Sequence, residues 1–293
     1  MTIFTSLQAK KQLMDWQDQF RARIGLPTES CRFSTRLGET HALFCGPSEA
    51  PPLVCLHGAM SNSAQAMLGA APLADAFRLI APDVVGQSPM SAETRPDVNG
   101  PAYGEWLADV FDALKLERAC VMGASWGGLI ALRGAVRMPH RIQKLSLIVP
   151  PGIVQGPILK AFFKIGWPMM RYRSSPTKDR LDRFLENLIT TRDPDWEAYL
   201  GDAVRGFKLD TKPLRLVKQG DLSALKAPVQ VLAAELDFQS PGRKLIAQAK
   251  AIIPSLSDTV LIPQSHHALP FDDAFRSWLA GEVRRFLLGR PQS

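Results

Sequence analysis

Short runs of consecutive apolar residues recur along the chain, each bounded by residues that favour turns. They occupy residues 52–58, 78–83, 119–125, 144–150, 228–234 and 259–263. Because consecutive rather than alternate positions are apolar, we predict strands that are covered on both faces, as in parallel sheets. The segments between them have helical spacing, for example at Trp106, Val110 and Phe111. This alternation predicts an α/β fold with a mostly parallel, doubly wound sheet.

Two segments near the start have a different pattern. Residues 31–35 and 40–45 alternate more strongly and flank Gly38, which predicts an antiparallel hairpin at the edge of the sheet. The first twenty residues have the pattern of an amphipathic helix, and Lys10 and Lys11 stand where a secretory signal would be apolar. No run of about 18 apolar residues occurs. We therefore expect a cytoplasmic protein that is not an integral membrane protein.

The strand–helix alternation stops between Pro151 and about Leu225. Met and aromatic residues are frequent there, and five prolines are expected to divide the segment into short helices, at positions 157, 168, 176, 194 and 213. We predict a core formed by residues 1–151 and 225–293, with residues 152–224 inserted as a helical cap. Residues 156–218 contain 13 Lys and Arg against 8 Asp and Glu, so they carry most of the chain's net charge of +7.

Composition excludes several classes of protein. Hydrophobic residues make up 46% of the chain and charged residues 22%, which is typical of a globular protein and not of a disordered one. The four cysteines show no metal-binding spacing and are most simply small buried side chains. No block of five or more Lys and Arg and no nucleic-acid-binding motif occurs, so the basic balance does not predict a nucleic-acid partner.

A G-x-S-x-G motif occupies residues 123–127. It follows an apolar strand and precedes a helical pattern, which is the setting of a nucleophile elbow. The tight turn requires small neighbours, which accounts for Gly123 and Gly127. Ser125 is expected at a helix N-terminus, where partial positive charge favours developing negative charge. We predict that Ser125 is a nucleophile.

A serine nucleophile needs a base, usually a histidine that a carboxylate orients. His266 and His267 follow the last predicted strand, whereas the other three histidines precede the late strands. Asp237 follows the strand at 228–234 and is the candidate acid, with Glu235 as the near alternative. Since these positions follow parallel strands, they are expected to meet Ser125 at one edge of the sheet.

With these residues the chain resembles the α/β-hydrolase superfamily, and within it the branch of capped carboxylesterases and C–C-bond hydrolases. The resemblance extends from about Arg32 to Leu287. Its motifs are Leu56-His57-Gly58-Ala59, the shortened loop 83–88, Ser125, Glu235-Leu236-Asp237 and the stretch 262–267. Ala234 and His266 stand where the family usually has Gly. In this register His267 matches the catalytic histidine, and Asp272 supports the alignment.

The resemblance implies an α/β-hydrolase fold and a serine hydrolase that cleaves a small, largely apolar carboxylic ester through an acyl-enzyme. Ser125, Asp237 and His267 would form the catalytic triad. The backbone N–H groups of Ala59 and Trp126 would form the oxyanion hole. Met60 and Trp126 would line an apolar substrate pocket. No metal and no organic cofactor is expected, and the partner is a small-molecule substrate.

Other activities fit the same three residues. A C–C-bond hydrolase of ring-cleavage products would use the basic cap to bind an anionic substrate. Lactonases and perhydrolases would use the same Ser-His-Asp triad. A proline iminopeptidase would need acidic groups for the substrate amine, which the basic cap disfavours. Epoxide hydrolases and haloalkane dehalogenases use Asp where this chain has Ser125. The alternatives outside enzymes are a small-molecule receptor and a peripheral membrane or nucleic-acid binder. Oligomeric state is not readable from the sequence.

Overall fold

One sheet runs through the computed structural model, which describes residues 2–210 and 212–289. Its strands are Glu29–Thr35 (β1), Gly38–Cys45 (β2), Pro52–Leu56 (β3), Arg78–Pro82 (β4), Ala119–Ala124 (β5), Ile142–Ile148 (β6), Val229–Ala234 (β7) and Leu256–Ile262 (β8). Their order across the sheet is β1-β2-β4-β3-β5-β6-β7-β8. β2 pairs antiparallel with β1 and with β4, and every other pairing is parallel.

Helices cover both faces of this sheet. They are Leu7–Ala22 (α1), Ser63–Ala70 (α2), Ala102–Ala113 (α3), Trp126–Arg137 (α4), Ile158–Ala161 (α5), Trp167–Ser174 (α6), Lys178–Leu185 (α7), Pro194–Gly206 (α8), Gly242–Ile252 (α9) and Asp273–Leu288 (α10). Neighbouring residues of β3 point to opposite faces, so Val54 packs with α3, α4 and α9, whereas Leu53 packs with α1, α2 and α10. The predicted doubly wound α/β fold is confirmed.

The strands predicted from apolar runs and the edge hairpin are all present. The largest difference in bounds is at β8, which begins at Leu256 rather than at residue 259. β8 is an edge strand, and Ser257 is exposed while Asp258 is half-buried. Because Ser257 and Asp258 are polar, a search for consecutive apolar residues misses the start of this strand.

Helices α5 to α8 lie between β6 and β7. A π-helical turn at Phe162–Gly166 joins α5 to α6, so residues 158–174 form one continuous helical run. Pro168 was predicted to separate two helices, and that prediction is wrong. Since Pro has no N–H to donate, it is tolerated directly after the turn, where the regular hydrogen-bond pattern is already interrupted. After α8 the chain returns to the core, where Val217 and Leu222 are buried beside α4 and α9.

The predicted N-terminal helix is present as α1, which packs against both α2 and α8. The indole N–H of Trp16 donates to Asp202 at 2.8 Å. The Phe20 ring lies 4.6 Å from that of Trp196 and 5.5 Å from that of Tyr199. α1 therefore joins the helices between β6 and β7 to the sheet. None of the described helices is long and apolar enough to cross a membrane.

Candidate active site

The turn between β5 and α4 holds Ser125 in a strained conformation, with φ of 49°. Its N–H donates to the Ile148 carbonyl at 2.8 Å, which ties the turn to β6. A Cβ added at Gly123 would lie 2.4 Å from the Gly127 carbonyl oxygen, and one at Gly127 would lie 2.1 Å from that of Leu56. Both positions therefore exclude any side chain, which is the geometry expected of a nucleophile elbow.

Three side chains that are distant in the sequence meet at the carboxyl ends of β5, β7 and β8. The hydroxyl oxygen of Ser125 lies 2.8 Å from Nε2 of His267. Nδ1 of the same ring lies 2.8 Å from Oδ2 of Asp237. With Nδ1 donating to the carboxylate, Nε2 is left to accept the serine proton. The structure thus brings together the residues that the sequence singled out.

The two alternative residues lie elsewhere. The Glu235 carboxylate contacts Arg243 at 2.9 Å and accepts the Gln264 N–H at 3.2 Å. His266 directs its backbone N–H to the hydroxyl of Thr190 at 2.9 Å, and its Nδ1 is buried without a hydrogen-bond partner in the described part of the chain. Neither side chain forms a hydrogen bond with Ser125, whose hydroxyl pairs with His267.

Burial and the neighbouring charge have opposite effects on the pKa of Asp237 and on that of His267. Burial alone would disfavour the charged imidazolium, but the charge and hydrogen bond of Asp237 outweigh it and raise the pKa of His267 above 6.5. Burial would likewise raise the pKa of the Asp237 carboxyl, but His267 and the N–H groups of Gln239 and Ser240 lower it on balance. The carboxylate therefore remains charged and favours a protonated His267.

Thr190 belongs to the loop between α7 and α8 and contacts the segment that carries His267. Its hydroxyl accepts the N–H of His266 at 2.9 Å and donates to the carbonyl of Ala268 at 2.8 Å. Its own N–H reaches the Ala268 carbonyl at 3.0 Å, and Ile189 forms a parallel β-bridge with Ala268. The sequence analysis missed Thr190 because no motif marks it.

The predicted oxyanion donors belong to the residue after Ser125 and to the loop after β3. Trp126 is the first residue of α4, so its N–H has no acceptor within the helix. Ala59 is exposed in the loop after β3 and follows Gly58, where an added Cβ would lie 3.7 Å from that of Ser125. The indole of Trp126 is half-buried and meets the Tyr103 ring edge-on at 6.5 Å.

Met60 stands next to Ala59 and has a positive φ of 51°. Its N–H donates to Gln87 at 3.2 Å, and its carbonyl accepts the hydroxyl of Tyr199, which belongs to α8. Its side chain packs both on the core beneath α2 and on the apolar cluster of the α6–α8 helices. Gln87 and Tyr199 thus hold the loop in place, and neither was predicted.

The other three histidines have separate surroundings. Nδ1 of His57 donates to the Gly58 carbonyl at 2.8 Å, and its Nε2 accepts the N–H of Val84 at 2.8 Å. Burial lowers the pKa of His57. His41 contacts the buried Asp83 at 2.6 Å, while His140 is exposed. Within residues 2–210 and 212–289, no group of three His, Cys, Asp or Glu could hold a metal ion.

Comparison with known proteins agrees with this architecture. A family model described as alpha/beta hydrolase fold matches residues 51–166. Carboxylesterase YbfK of Bacillus subtilis (strain 168) is 34% identical over 279 residues, which cover 90% of each chain. The chain belongs to the α/β-hydrolase family. As in that family, its candidate nucleophile lies at a strand-to-helix turn, and the candidate acid and histidine follow later strands.

Two further comparisons match this chain to proteins named as esterases. The uncharacterized carboxylesterase nap of the same organism is 36% identical over 122 residues, which cover 42% of this chain and 41% of that protein. The crystal structure of naproxen esterase from Bacillus subtilis superimposes with a TM-score of 0.81 at 21% identity, covering 94% of this chain and 97% of that one. The second likeness shows that the fold extends over nearly the whole chain.

Proposed function

We propose that this protein is a carboxylesterase that cleaves small, largely apolar esters through an acyl-enzyme. The observation that carries the proposal is the hydrogen-bonded chain from Ser125 through His267 to Asp237, with both contacts at 2.8 Å. The name of YbfK, which is similar over 90% of both chains, supports ester hydrolysis as the activity.

In the proposed mechanism, Ser125 attacks the ester carbonyl carbon while Nε2 of His267 takes the hydroxyl proton. Asp237 holds the imidazole in the required tautomer and stabilises the imidazolium that forms. The N–H groups of Ala59 and Trp126 bind the oxyanion of the tetrahedral intermediate, and each such donor typically lowers the barrier by about 3 kcal/mol.

Collapse of the intermediate breaks the ester C–O bond, and His267 returns its proton to the departing alcohol. Water then attacks the acyl-enzyme with His267 again as base, which releases the acid and restores Ser125. No step requires a metal or an organic cofactor.

Substrate preference is proposed from the apolar side chains near the loop after β3. Met60 and Trp126 would contact the acyl or alcohol group, and the helices between β6 and β7 would act as a cap. The contact of Met60 with the α6–α8 cluster supports this role, because it places an apolar side chain between the core and these helices.

The proposal is tested with Ser125→Ala and a matched control, Ser174→Ala, which changes an exposed serine on α6. Against aryl esters of increasing acyl length, Ser125→Ala should lose at least about 10⁴-fold in kcat/KM, whereas the control should retain wild-type activity. A fluorophosphonate probe should label the wild type and the control only. Wild-type ester hydrolysis by Ser125→Ala would contradict the proposal.

The same assay separates the alternative activities. A ring-cleavage diketone acid and a prolyl arylamide are run beside the esters. Higher kcat/KM on either compound than on every ester would replace the carboxylesterase assignment with a C–C-bond hydrolase or an iminopeptidase. No labelling of Ser125 by the fluorophosphonate probe in the folded wild type would favour a receptor.

A further inference from the structure

The helical run 158–174 exposes a set of large apolar side chains on the outside of the molecule. These are Ile158, Leu159, Phe162, Phe163, Trp167 and Met170, which we call the apolar face. Leu159, Phe163, Trp167 and Met170 follow helical spacing and form one stripe, in which Leu159 is 75% and Phe163 65% exposed. Contiguous exposed apolar residues of this kind mark an interaction site rather than ordinary surface.

The helical run that carries the apolar face is basic. Residues 157–174 contain Lys160, Lys164, Arg171 and Arg173 and no Asp or Glu. This composition, with Trp and Phe between basic residues, is typical of helices that lie in the plane of a membrane interface.

A small cavity beside the apolar face gathers three arginines. Arg171 of α6 and Arg180 and Arg183 of α7 line it together with Trp167 and Pro168, and its volume is about 250 Å³. Among the described residues, none of the three forms a salt bridge with a carboxylate. Asp182, on the same helix as Arg180, pairs instead with Lys178 and Arg192. No described carboxylate therefore neutralises these guanidinium groups, although Arg180 donates to the backbone carbonyls of Ser175 at 3.0 Å and Arg171 at 3.4 Å.

We propose that the apolar face and this arginine cavity together bind the surface of an anionic phospholipid bilayer. The Phe, Trp and Leu side chains would enter the boundary between headgroups and acyl chains, and the arginines would hold lipid phosphates, whose geometry matches guanidinium groups. The net charge of +7 would attract the protein to such a surface from a distance.

A second copy of this chain is a poorer occupant of the same surface. A two-fold symmetric contact would place the same patch on both partners. It would therefore bring two sets of unneutralised arginines together, and like charges in contact oppose association. An anionic bilayer satisfies the apolar and the charged parts at once.

The proposed docking surface is close to the candidate site. The ammonium group of Lys160 lies 5.0 Å from the centre of the Phe238 ring, and the N–H of Gly156 donates to the Gln239 carbonyl at 2.9 Å. Both partners belong to the loop that carries Asp237. A bilayer bound here would lie beside the loop that completes the site.

The test is flotation of the full-length protein with vesicles of phosphatidylcholine alone or mixed with phosphatidylglycerol, at low and high salt. We expect binding to the mixed vesicles only, and weaker binding at high salt. The triple variant Arg171→Gln, Arg180→Gln and Arg183→Gln should lower the partition coefficient by about 100-fold. A matched control, Arg118→Gln, Lys244→Gln and Lys250→Gln, removes the same charge from exposed positions elsewhere and should lower it by much less.

The apolar contribution is tested with Phe163→Gln and Trp167→Gln, which should abolish the binding that remains at high salt. The control pair Leu7→Gln and Trp278→Gln changes exposed apolar residues outside the face and should retain it. Thermal unfolding of each variant checks that it is folded.

Four outcomes would overturn the proposal: no binding of the wild type to anionic vesicles, equal binding to phosphatidylcholine, equal losses in the control triple, or displacement by inorganic phosphate at matched ionic strength. If Phe163→Gln and Trp167→Gln abolished self-association of the protein but left vesicle binding unchanged, the surface would instead join two copies of the chain. Ser125→Ala should bind vesicles like the wild type, so this test is independent of the proposed esterase activity.

Discussion

The hydroxyl of Thr190 donates to the carbonyl of Ala268 at 2.8 Å, and its N–H reaches the same oxygen at 3.0 Å. Because that hydroxyl also accepts the N–H of His266, Thr190 holds the residues on both sides of His267. The imidazole is thus held from the loop between α7 and α8 as well as from the end of β8. The segment between β6 and β7 therefore contributes to the geometry of the site.

Thr190→Val should lower kcat by about tenfold with little change in KM, because the hydroxyl positions the base and does not contact substrate. Thr190→Ser keeps both hydrogen bonds and should retain most of the wild-type kcat. Steady-state kinetics on one aryl ester measures both values. A rise in KM at constant kcat would assign Thr190 to substrate binding instead.

Ester hydrolysis should depend on the neutral form of His267. Since the pKa of His267 is raised above 6.5, kcat/KM should increase with pH and reach half of its plateau above that value. Asp237→Asn removes the group that raises the pKa, so burial then dominates and the midpoint should move to lower pH, with a large loss of plateau activity. Profiles of kcat/KM against pH for both proteins check this, and an unmoved midpoint in Asp237→Asn would contradict it.

The two neighbouring histidines offer a matched pair of variants. His267→Gln should lose at least about 10³-fold in kcat, because the proton acceptor of Ser125 is removed. His266→Gln should lose far less, since the Ser125 hydroxyl is hydrogen-bonded to His267 and not to His266. Comparable losses in single-turnover acylation by the two variants would require a different base.

The elbow should tolerate no side chain at Gly127. Gly127→Ala places a Cβ against the Leu56 carbonyl and should destabilise the protein by about 1–3 kcal/mol or more. Gly281→Ala is the control, because nothing lies within 4 Å of its added Cβ in the middle of α10, and it should be neutral or stabilising by up to about 1 kcal/mol. Urea unfolding measures both, and equal stabilities would show that the turn can adjust.

The sequence was most informative where one local pattern determines one structure. Consecutive apolar residues predict strands that are buried on both faces. The turn around Ser125 requires glycines at fixed spacing. Thr190, Tyr199 and Gln87 act through a few hydrogen bonds to residues that are distant in the sequence, and such contacts leave no periodic signal. Pro168 was misjudged because an interrupted helix can accommodate it, and only the three-dimensional structure shows the π-helical turn.

Helix α1 has a consequence for how the chain assembles during synthesis. Trp16 leaves the ribosome 186 residues before its partner Asp202. The apolar side of α1 must remain without its α8 neighbours until residues 194–206 have been made. Closure of this contact is therefore a late, non-local step, and nascent chains that stall before α8 would present Phe20 to chaperones.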